Sequence, residues 1–558
     1  MSITHTLIAD PTTGRFDSRN PLGRFIPLPA KIEGLTFVNR TTTSLTFSWE
    51  ADANADTYNV YVNIEPTPRM TGVTGTQTTL TELSSDSSFN IRVSGVNTAG
   101  EGPKSDPVTM TTEAAFVDPD PGETVMSSSV EQRGITWYFD QQYPVGQYAN
   151  GDWFVVGPVN ITNITPESTS VDGVVRNGTM VNPTQGHSRS EHGYDSRANQ
   201  TTYVDALNRS PSRTGTPLSL STGSVVSTVS FYDWPAQPTG SSNRPFSQES
   251  AVLTVVNEVP PEGAFRPHPY GTDKTSYWTE ADLDYSVLNS LPVVGTPPSI
   301  AQREQDMLLF FNEQLGGHWH NRQTRRFMEA YISTVGTFYG TAFGAFLGEN
   351  LLLLHLSYDN VEKRDLFVGM VQFGIDVYGR VTDAGNTTRY PPDGGHGVGT
   401  KGPMVLAAVA LNDDGIKAAA NGAVNNNWFA DDCSTFYVTQ AEIDRVDRVT
   451  GEYYGYHSGD EEDYETADIG MPEWGNRHCT QPQRNSRDWE RNYRYNGGQK
   501  RTQALAMLLT TGRIGEDVWN HPAFFDYADR YALVGDAGGG YGTTAFTQAM
   551  WNAYRSTV

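Results

Sequence analysis

The chain has 558 residues, too many for one hydrophobic core, and 39 Lys and Arg stand against 64 Asp and Glu, a formal net charge of −25. This charge repels nucleic-acid phosphates and anionic membrane surfaces, which argues against both as partners. Two cysteines, Cys433 and Cys479, are too few for a disulfide scaffold and lack the CxxC spacing of a structural zinc site. The sequence leaves open whether they pair.

Residues 1–32 combine prolines and glycines with few apolar side chains, which predicts an extended arm, or alternatively a disordered leader. The N-terminus lacks a basic start followed by an apolar stretch, so we expect no secretory signal. Runs of about eighteen apolar residues, which a membrane-spanning helix needs, do not occur, and we expect no membrane insertion.

Residues 33–113 alternate apolar and polar residues in short runs such as SLTFSWEA and TYNVYVNI, which predicts an antiparallel β-sandwich. This segment resembles fibronectin type III domains: Trp49 stands at the position of the family's buried Trp, and FNIRVSGVNTAGEGPKSDPV matches a late strand, its turn and its exit. Phe89 replaces the corner Tyr of the family, so the hydrogen bond of that hydroxyl is absent. The resemblance implies a spacer or adhesive module.

The acidic, proline-containing segment 114–125 predicts a linker, and further strand-like runs punctuated by Asn, Gly, Pro and Ser predict a second all-β domain over 126–298. Apolar residues at spacings of three and four then predict a mainly α domain over 299–558. The predicted helices are 301–315, 325–357, 360–380, 402–420, 440–448, 499–512, 521–533 and 544–556. Long loops between these helices indicate a binding or catalytic face.

A glycine-rich turn, residues 393–402, leads into the helix PMVLAAVAL. Its glycines would let the backbone pass close to a ligand while His396 and Lys401 project into a cleft. The segment lacks the preceding strand of a dinucleotide site and the residues of a Walker A loop, so we expect no cofactor. A tight helix-entry turn with an incidental His is the alternative.

A second cluster combines aromatic rings with Arg, Asn and acidic groups, the side chains that stack on sugars and bond their hydroxyls. Its candidate substrate-binding residues, taken together with Lys401, are Trp474, Arg477, Tyr493, Arg494 and Asn496. Aromatic side chains that pack as local cores are the alternative. We expect no metal site, because His318 and His320 have no third ligand nearby, and we interpret Asp431 and Asp432 as solvated loop charges.

The segment 126–558, with phrases such as DQQYPVGQYANGDWFVVGPV and GGHGVGTKGPMVLAAVAL, resembles uncharacterised proteins of marine bacteria and their phages. Its helical half resembles the α/α toroid of polysaccharide lyases and some glycoside hydrolases. In toroid lyases a Tyr or His removes the proton next to a uronate carboxylate while other groups neutralise that carboxylate. The resemblance implies candidate catalytic roles for His396, Tyr454, His478 and Glu473, although no family motif matches residue by residue.

The arm, the accessory sandwich and the expected lack of a signal favour a phage virion surface protein, a fibre, spike or decoration subunit, whose C-terminal body contacts host polysaccharide. It would be assembled in the host cytoplasm, contact other virion proteins through residues 1–32 and form a homo-oligomer; outside a virion it would be extracellular. The alternatives are a catalytically active polysaccharide lyase or glycoside hydrolase, and a purely structural scaffold.

Overall fold

The computed structural model describes sixteen stretches of the chain. They are residues 14–16, 25–41, 43–84, 87–112, 123–171, 173–183, 191–196, 202–230, 247–301, 303, 340–382, 389–390, 398–444, 464–474, 498–534 and 544–558. The chain divides into two units, Met1–Asp118 and Pro119–Val558.

The N-terminal unit contains a two-stranded antiparallel ribbon and a sandwich of two antiparallel sheets. The ribbon strands are β1 (Gly14–Phe16) and β2 (Phe25–Pro27). The sandwich strands are β3 (Thr36–Arg40), β4 (Leu45–Ser48), β5 (Thr57–Val62), β6 (Met70–Val73), β7 (Gln77–Leu80), β8 (Ser88–Asn97), β9 (Gly100–Glu101) and β10 (Val108–Thr111). One sheet has the order β3-β4-β7, and the other has the order β10-β8-β5-β6 with β9 beside β8.

The sandwich core follows from the alternation in its strands. Leu45 and Phe47 of β4 are fully buried, and Thr46 between them points away and bonds Thr79 of β7. Trp49 lies at the end of β4 and packs edge-on against Tyr58 of β5, with ring centroids 5.3 Å apart. Alternate side chains thus supply one apolar layer between the two sheets, as the sequence predicts.

The C-terminal unit begins with an eight-stranded sheet of order β17-β21-β22-β13-β12-β14-β20, with β11 also paired to β12. Its strands are β11 (Val125–Gln132), β12 (Ile135–Gln147), β13 (Trp153–Val156), β14 (Val159–Thr165), β17 (Thr179–Val181), β20 (Leu218–Leu220), β21 (Gly223–Ser230) and β22 (Ser247–Val256). Most neighbours are antiparallel, whereas β13 and β22 are parallel. Two short pairs accompany the sheet: β15 (Ser170–Val171) with β16 (Val174–Val175), and β18 (Glu191–His192) with β19 (Thr202–Tyr203).

The helices follow the sheet in the sequence. They are α1 (Pro211–Thr214), between β19 and β20, then α2 (Gly340–Leu354), α3 (Asn360–Thr382), α4 (Lys401–Ala410), α5 (Asp414–Ala420), α6 (Gly422–Asn425), α7 (Ala430–Cys433), α8 (Gln440–Ile443), α9 (Gly498–Leu508), α10 (Ile514–Trp519), α11 (Pro522–Val534) and α12 (Ala545–Tyr554). One further antiparallel pair, β23 (Thr435–Tyr437) with β24 (Pro472–Trp474), lies among them. Short 3-10 helices span Asp205–Leu207, Glu280–Asp282, Tyr285–Val287, Thr466–Asp468, Thr511–Arg513 and Arg555–Thr557.

The predicted order of a β-sandwich, a second β-rich region and a mainly helical region is confirmed. The predicted helix over 402–420 is two helices, because the chain turns at Asn412, whose φ is 50°, and Asp413 caps α5. The predicted helix 360–380 is α3, and Val361 in its first turn is 86% exposed although its side chain is apolar. Of the helices predicted at 301–315 and 325–357, the structure describes residues 301, 303 and 340–357, and the rest lie outside the described residues. The toroid arrangement and the boundary near residue 298 stay predictions.

Arg266 connects the β-rich part of this unit to α3. Its guanidinium is fully buried, with Nε 2.5 Å from Asp152 and Nη2 2.6 Å from Asp376. Gln372 adds two hydrogen bonds of 2.9 Å, accepting from the backbone N–H of Arg266 and donating to its carbonyl. Sheet and helices therefore share one interior.

Helix α9 lies at the centre of the helical region, since every one of its residues is buried. It approaches α2 closely, because a Cβ on Gly344 would lie 2.8 Å from Gln499 Oε1 and one on Gly348 would lie 2.8 Å from Thr502 Cβ. The C-terminal half of α9 is apolar, whereas its N-terminal half carries Gln499 to Gln503. A fully buried helix with a polar half needs polar partners around it.

Candidate functional site

Most of the residues predicted to form a site lie outside the described part of the chain. They are His396, Tyr454, Arg477, His478, Tyr493, Arg494 and Asn496. Lys401, Glu473 and Trp474 are described, and each is at most 1% exposed. The structure brings Lys401 and Trp474 into one buried cluster of charged side chains beside α9.

The first ion pair of this cluster joins α4 to α7. Lys401, the first residue of α4, places Nζ 2.6 Å from Asp432 Oδ2 and 3.1 Å from the backbone carbonyl of Trp519. The indole N–H of Trp519 donates to the other oxygen of Asp432 at 2.8 Å. Burial lowers the pKa of Lys401, and Asp432 opposes that shift. Both carboxylate oxygens of Asp432 and the ammonium group of Lys401 are hydrogen-bonded, so the two buried charges compensate each other.

The second ion pair joins α9 to α7. Lys500 Nζ lies 3.3 Å from Asp431 Oδ1, and the backbone N–H of Gly399 donates to Asp431 Oδ2 at 2.8 Å. Gly399 adopts a φ of 88°, a conformation that favours glycine, and this turn directs its N–H at the carboxylate. Lys500 Nζ is also 4.9 Å from the ring centroid of Trp474. Burial raises the pKa of Asp431 and lowers the pKa of Lys500.

His521, just before α11, borders the cluster. Its Nε2 lies 3.0 Å from Thr435 Oγ1 in β23. Burial lowers the pKa of His521 from its ordinary 6.5, so the imidazole is neutral at pH 7. Gly422 closes this side, since a Cβ there would lie 2.8 Å from His521 Cβ and 3.0 Å from both Asp432 Oδ2 and Lys401 Nζ.

Glu473 belongs to a neighbouring ion pair on β24. Its Oε1 lies 3.2 Å from Arg530 Nη1 of α11 and accepts from the backbone N–H of Trp474 at 2.9 Å. The hydroxyl of Tyr464 donates to Oε2 at 3.3 Å. A catalytic base or acid would need contact with a ligand, whereas this carboxylate is fully buried and bonded on both oxygens.

Trp474 was predicted to stack on a sugar. Its ring is 1% exposed and packs against Tyr527 of α11, with centroids 6.3 Å apart. A ring that stacks on a pyranose must present one face to it. The structure therefore places this ring in the interior, and its binding role, like the roles of the other candidate residues, stays a prediction.

Asp431 and Asp432 were predicted to be solvated loop charges, and that interpretation is wrong. They are 0% and 1% exposed, because α7 places them between α4 and α9, where Lys401 and Lys500 neutralise them. Sequence reasoning also missed Lys500. The sequence did contain one sign that the two acids are buried, because they directly follow the apolar residues Phe429 and Ala430. In the structure this segment leaves little room for solvent.

Cys433 ends α7 and is disulfide-bonded, while the chain's other cysteine, Cys479, lies outside the described residues. Within the described part of the chain, His, Cys, Asp and Glu side chains do not gather in groups of three or more that could hold a metal ion. None of the described helices is both long and apolar enough to cross a membrane.

The ion pairs of this cluster balance one another in charge and connect α4, α7, α9 and the segment leading into α11. Two lysines face two aspartates, and the remaining bonds come from backbone groups and an indole. Loss of one partner from such a pair leaves a buried charge without compensation. The arrangement favours a role in holding the helical region together over a role in acid–base chemistry.

Comparisons with known proteins match only part of the chain. A stretch of 89 residues, 16% of this chain, is 40% identical to the tail tube protein gp17.1* of Bacillus phage SPP1. The match spans 33% of that relative, so the chain covers about one third of its length.

Solved structures similar to the chain include the FN5 domain of Drosophila Lar, 17% identical with a TM-score of 0.14, covering 16% of this chain and 100% of that chain. A Fn3-like protein from Clostridium thermocellum is 21% identical with a TM-score of 0.14, covering 16% of this chain and 95% of that chain. The model of the fibronectin type III domain family matches residues 30–111. These residues, which form the two-sheet sandwich, are a fibronectin type III domain, as the sequence predicts.

Proposed function

We propose that this chain is a structural protein displayed on the surface of a phage virion, and that its C-terminal unit contacts host surface glycan. The observation that carries the proposal is the 40% identity to a phage tail tube protein over 89 residues. The fibronectin type III domain supports display, since such domains serve as spacers or adhesive modules.

The interior of the C-terminal unit supports binding over catalysis. The described ion pairs in this interior include Lys401 with Asp432, Lys500 with Asp431 and Glu473 with Arg530. Buried and fully bonded carboxylates hold a framework in place but do not exchange protons with a ligand. Contact with glycan would then depend on the surface of this framework.

The N-terminal arm supplies the proposed contact with other virion proteins. The ribbon of β1 and β2 pairs Gly14 with Pro27 and Phe16 with Phe25, so part of residues 1–32 is ordered as a hairpin-like element. We propose that this segment attaches the chain to neighbouring subunits and that the protein assembles as a homo-oligomer.

Purified phage particles test the virion assignment. Mass spectrometry should detect the chain at a stoichiometry of several copies per particle, and gold-labelled antibodies against the C-terminal unit should decorate intact virions. If particles that have been purified free of host protein do not contain the chain, the virion assignment is overturned.

The glycan assignment needs a separate experiment with the full chain. We expect binding to a subset of bacterial surface polysaccharides on a glycan array, with no release of unsaturated uronate products during incubation. Unsaturated products would establish a lyase instead. If the chain binds none of the glycans on the array, the remaining function is that of a structural scaffold.

A further inference from the structure

Arg389, which follows α3, is held in a fixed orientation at the surface of the helical region. Its guanidinium carbon lies 3.7 Å from the ring centroid of Trp428, and its Nε donates to the carbonyl of Val381 at 3.3 Å. Arg389 and Trp428 are both partly exposed. Stacking on the indole and the bond at Nε fix the plane of the guanidinium. Among the described residues its two terminal amino groups have no partner, so they can bond a ligand.

The backbone around this stack is also well defined. The N–H of Tyr390 donates to the carbonyl of Trp428 at 2.8 Å, and Tyr390 pairs with Phe429 in a parallel bridge. The rings of Tyr390 and Phe429 are stacked, with centroids 5.9 Å apart and an interplanar angle of 7°. The two segments that carry Arg389 and Trp428 are therefore joined by backbone and aromatic contacts beneath the exposed pair.

Arg389 differs from Arg364, Arg513 and Arg555, three arginines of this unit that each pair with a carboxylate. Arg364 lies 2.5 Å from Glu280, Arg513 lies 2.6 Å from Glu516, and Arg555 lies 2.6 Å from Asp529. Among the described residues, Arg389 has no acidic partner, and partial burial lowers its pKa. In a chain with a net charge of −25, an oriented guanidinium without a carboxylate can bond an anion from outside the chain.

The neighbouring side chains suit a sugar. Asn426 and Asn427 are exposed immediately before Trp428, and their amides can both donate to and accept from hydroxyl groups. The partly exposed indole of Trp428 offers apolar ring surface for the C–H groups of a pyranose, and the planar fork of an arginine matches the two oxygens of a carboxylate. Sugar hydroxyls and a carboxylate occur together in uronic acids and other acidic sugars.

We infer that Arg389 and Trp428, with Asn426 and Asn427 beside them, form a binding site for the carboxylate of an acidic sugar. The inference rests on the proposed contact with glycan and names the chemical class of that glycan. Arg389 bonds the carboxylate through its terminal amino groups, Trp428 packs against the ring of the sugar, and the amides bond its hydroxyls.

Isothermal titration of the full chain tests the site. The ligands are oligomers of a polyuronate, the same oligomers with their carboxylates reduced to alcohols, and a sulfated oligosaccharide of similar length. We expect binding of the polyuronate, and we expect Arg389→Gln to weaken it by about tenfold to hundredfold, because a bond between charged groups is lost. Arg389→Lys should also weaken binding, since an ammonium group cannot form the two-pronged contact.

Arg513→Gln is the matched control, because it removes the same charge from an arginine that already has Glu516 as its partner. It should bind the polyuronate like the wild-type chain. Thermal unfolding of all variants checks that the fold is kept. Equal affinity of the wild-type chain and Arg389→Gln for the polyuronate would overturn the site, as would equal affinity of the wild-type chain for the reduced oligomers.

The controls separate the two proposals. Binding of neutral glycans that is unaffected by Arg389→Gln would reject this site and keep the proposed contact with glycan. Failure of the wild-type chain to bind any glycan on the array would reject both. Stronger binding of the sulfated ligand than of the polyuronate would reject the carboxylate as the recognised group.

Discussion

The interior of the fibronectin type III domain is apolar, whereas the interior of the helical region contains charged side chains. Leu45 and Phe47 of the domain are buried between its sheets, while its charges, such as Lys31 and Asp106, are at 39% and 82% exposure. In the helical region Lys401 and Lys500 are completely buried with their aspartates. The domain is stabilised by apolar burial, which is non-directional, whereas the centre of the helical region also depends on ion pairs of defined geometry.

This difference predicts that the helical region is the more sensitive of the two to the loss of a single charge. Lys401→Met should destabilise the C-terminal unit by about 3–5 kcal/mol, because Asp432 remains buried without its partner. The double variant Lys401→Met with Asp432→Leu should recover most of that loss, since no unpaired charge is then left in the interior. Hydrogen exchange measured by mass spectrometry reports the free energy of unfolding for peptides of each unit separately.

Lys417→Met is the control for this prediction. Lys417 lies 3.6 Å from Asp414, whose side chain is fully exposed, so the loss should stay below about 1 kcal/mol. A Lys401→Met variant as stable as the wild-type chain would show that the buried pair contributes nothing and that the comparison between the two interiors is wrong.

The complementary change affects only the fibronectin type III domain. Leu45→Ala should destabilise the N-terminal unit by roughly 2–5 kcal/mol, because it removes a fully buried side chain from the layer between the sheets. Exchange of peptides from the C-terminal unit should stay unchanged. Phe37→Ala, at a position that is 45% exposed in β3, is the control and should have a much smaller effect. Similar losses for both variants would contradict the assigned core.

The same contrast explains how far the sequence could predict this molecule. Alternation in a sandwich strand is local, and Tyr58, Val60 and Val62 revealed their buried face from their spacing of two. The partner of Asp432 is Lys401, 31 residues away along the chain, and the partner of Asp431 is Lys500, 69 residues away. The spacing of residues within one segment carries no information about ion pairs between distant segments. The sequence therefore led to the interpretation that Asp431 and Asp432 are solvated, although they lie in the interior.

The candidate site shows the same limit. The sequence marks Lys401 and Trp474 as candidate binding residues, and the structure places both in one buried cluster with Asp431, Asp432 and Lys500. It did not indicate that they meet in the interior. Arg389 and Trp428 were equally hidden, because the stack depends on contacts across about 40 residues. Tertiary packing decides which polar groups reach solvent, and local patterns do not specify it.

The smallest expected effect concerns the ion pair between the sheet and α3. Burial raises the pKa of Asp376 to about 6 from its ordinary 3.8, although Arg266 opposes the shift. A carboxyl group whose pKa is higher in the folded state binds its proton more tightly there, so its contribution to stability is fully present below about pH 4 and is lost as the pH rises through 6.

Between pH 7 and pH 5 the wild-type chain should therefore gain about 1 kcal/mol of stability relative to Asp376→Asn, whose amide does not titrate. Exchange of peptides from α3 and from the strands around Asp152 measures this difference, and subtraction of the variant removes the contribution of the other titrating groups. A difference that stays constant over this range would show that Asp376 is ionised throughout. Arg266 would then hold Asp376 as an anion, and the junction would resemble the balanced pairs around α9 more than a carboxyl group kept neutral by burial.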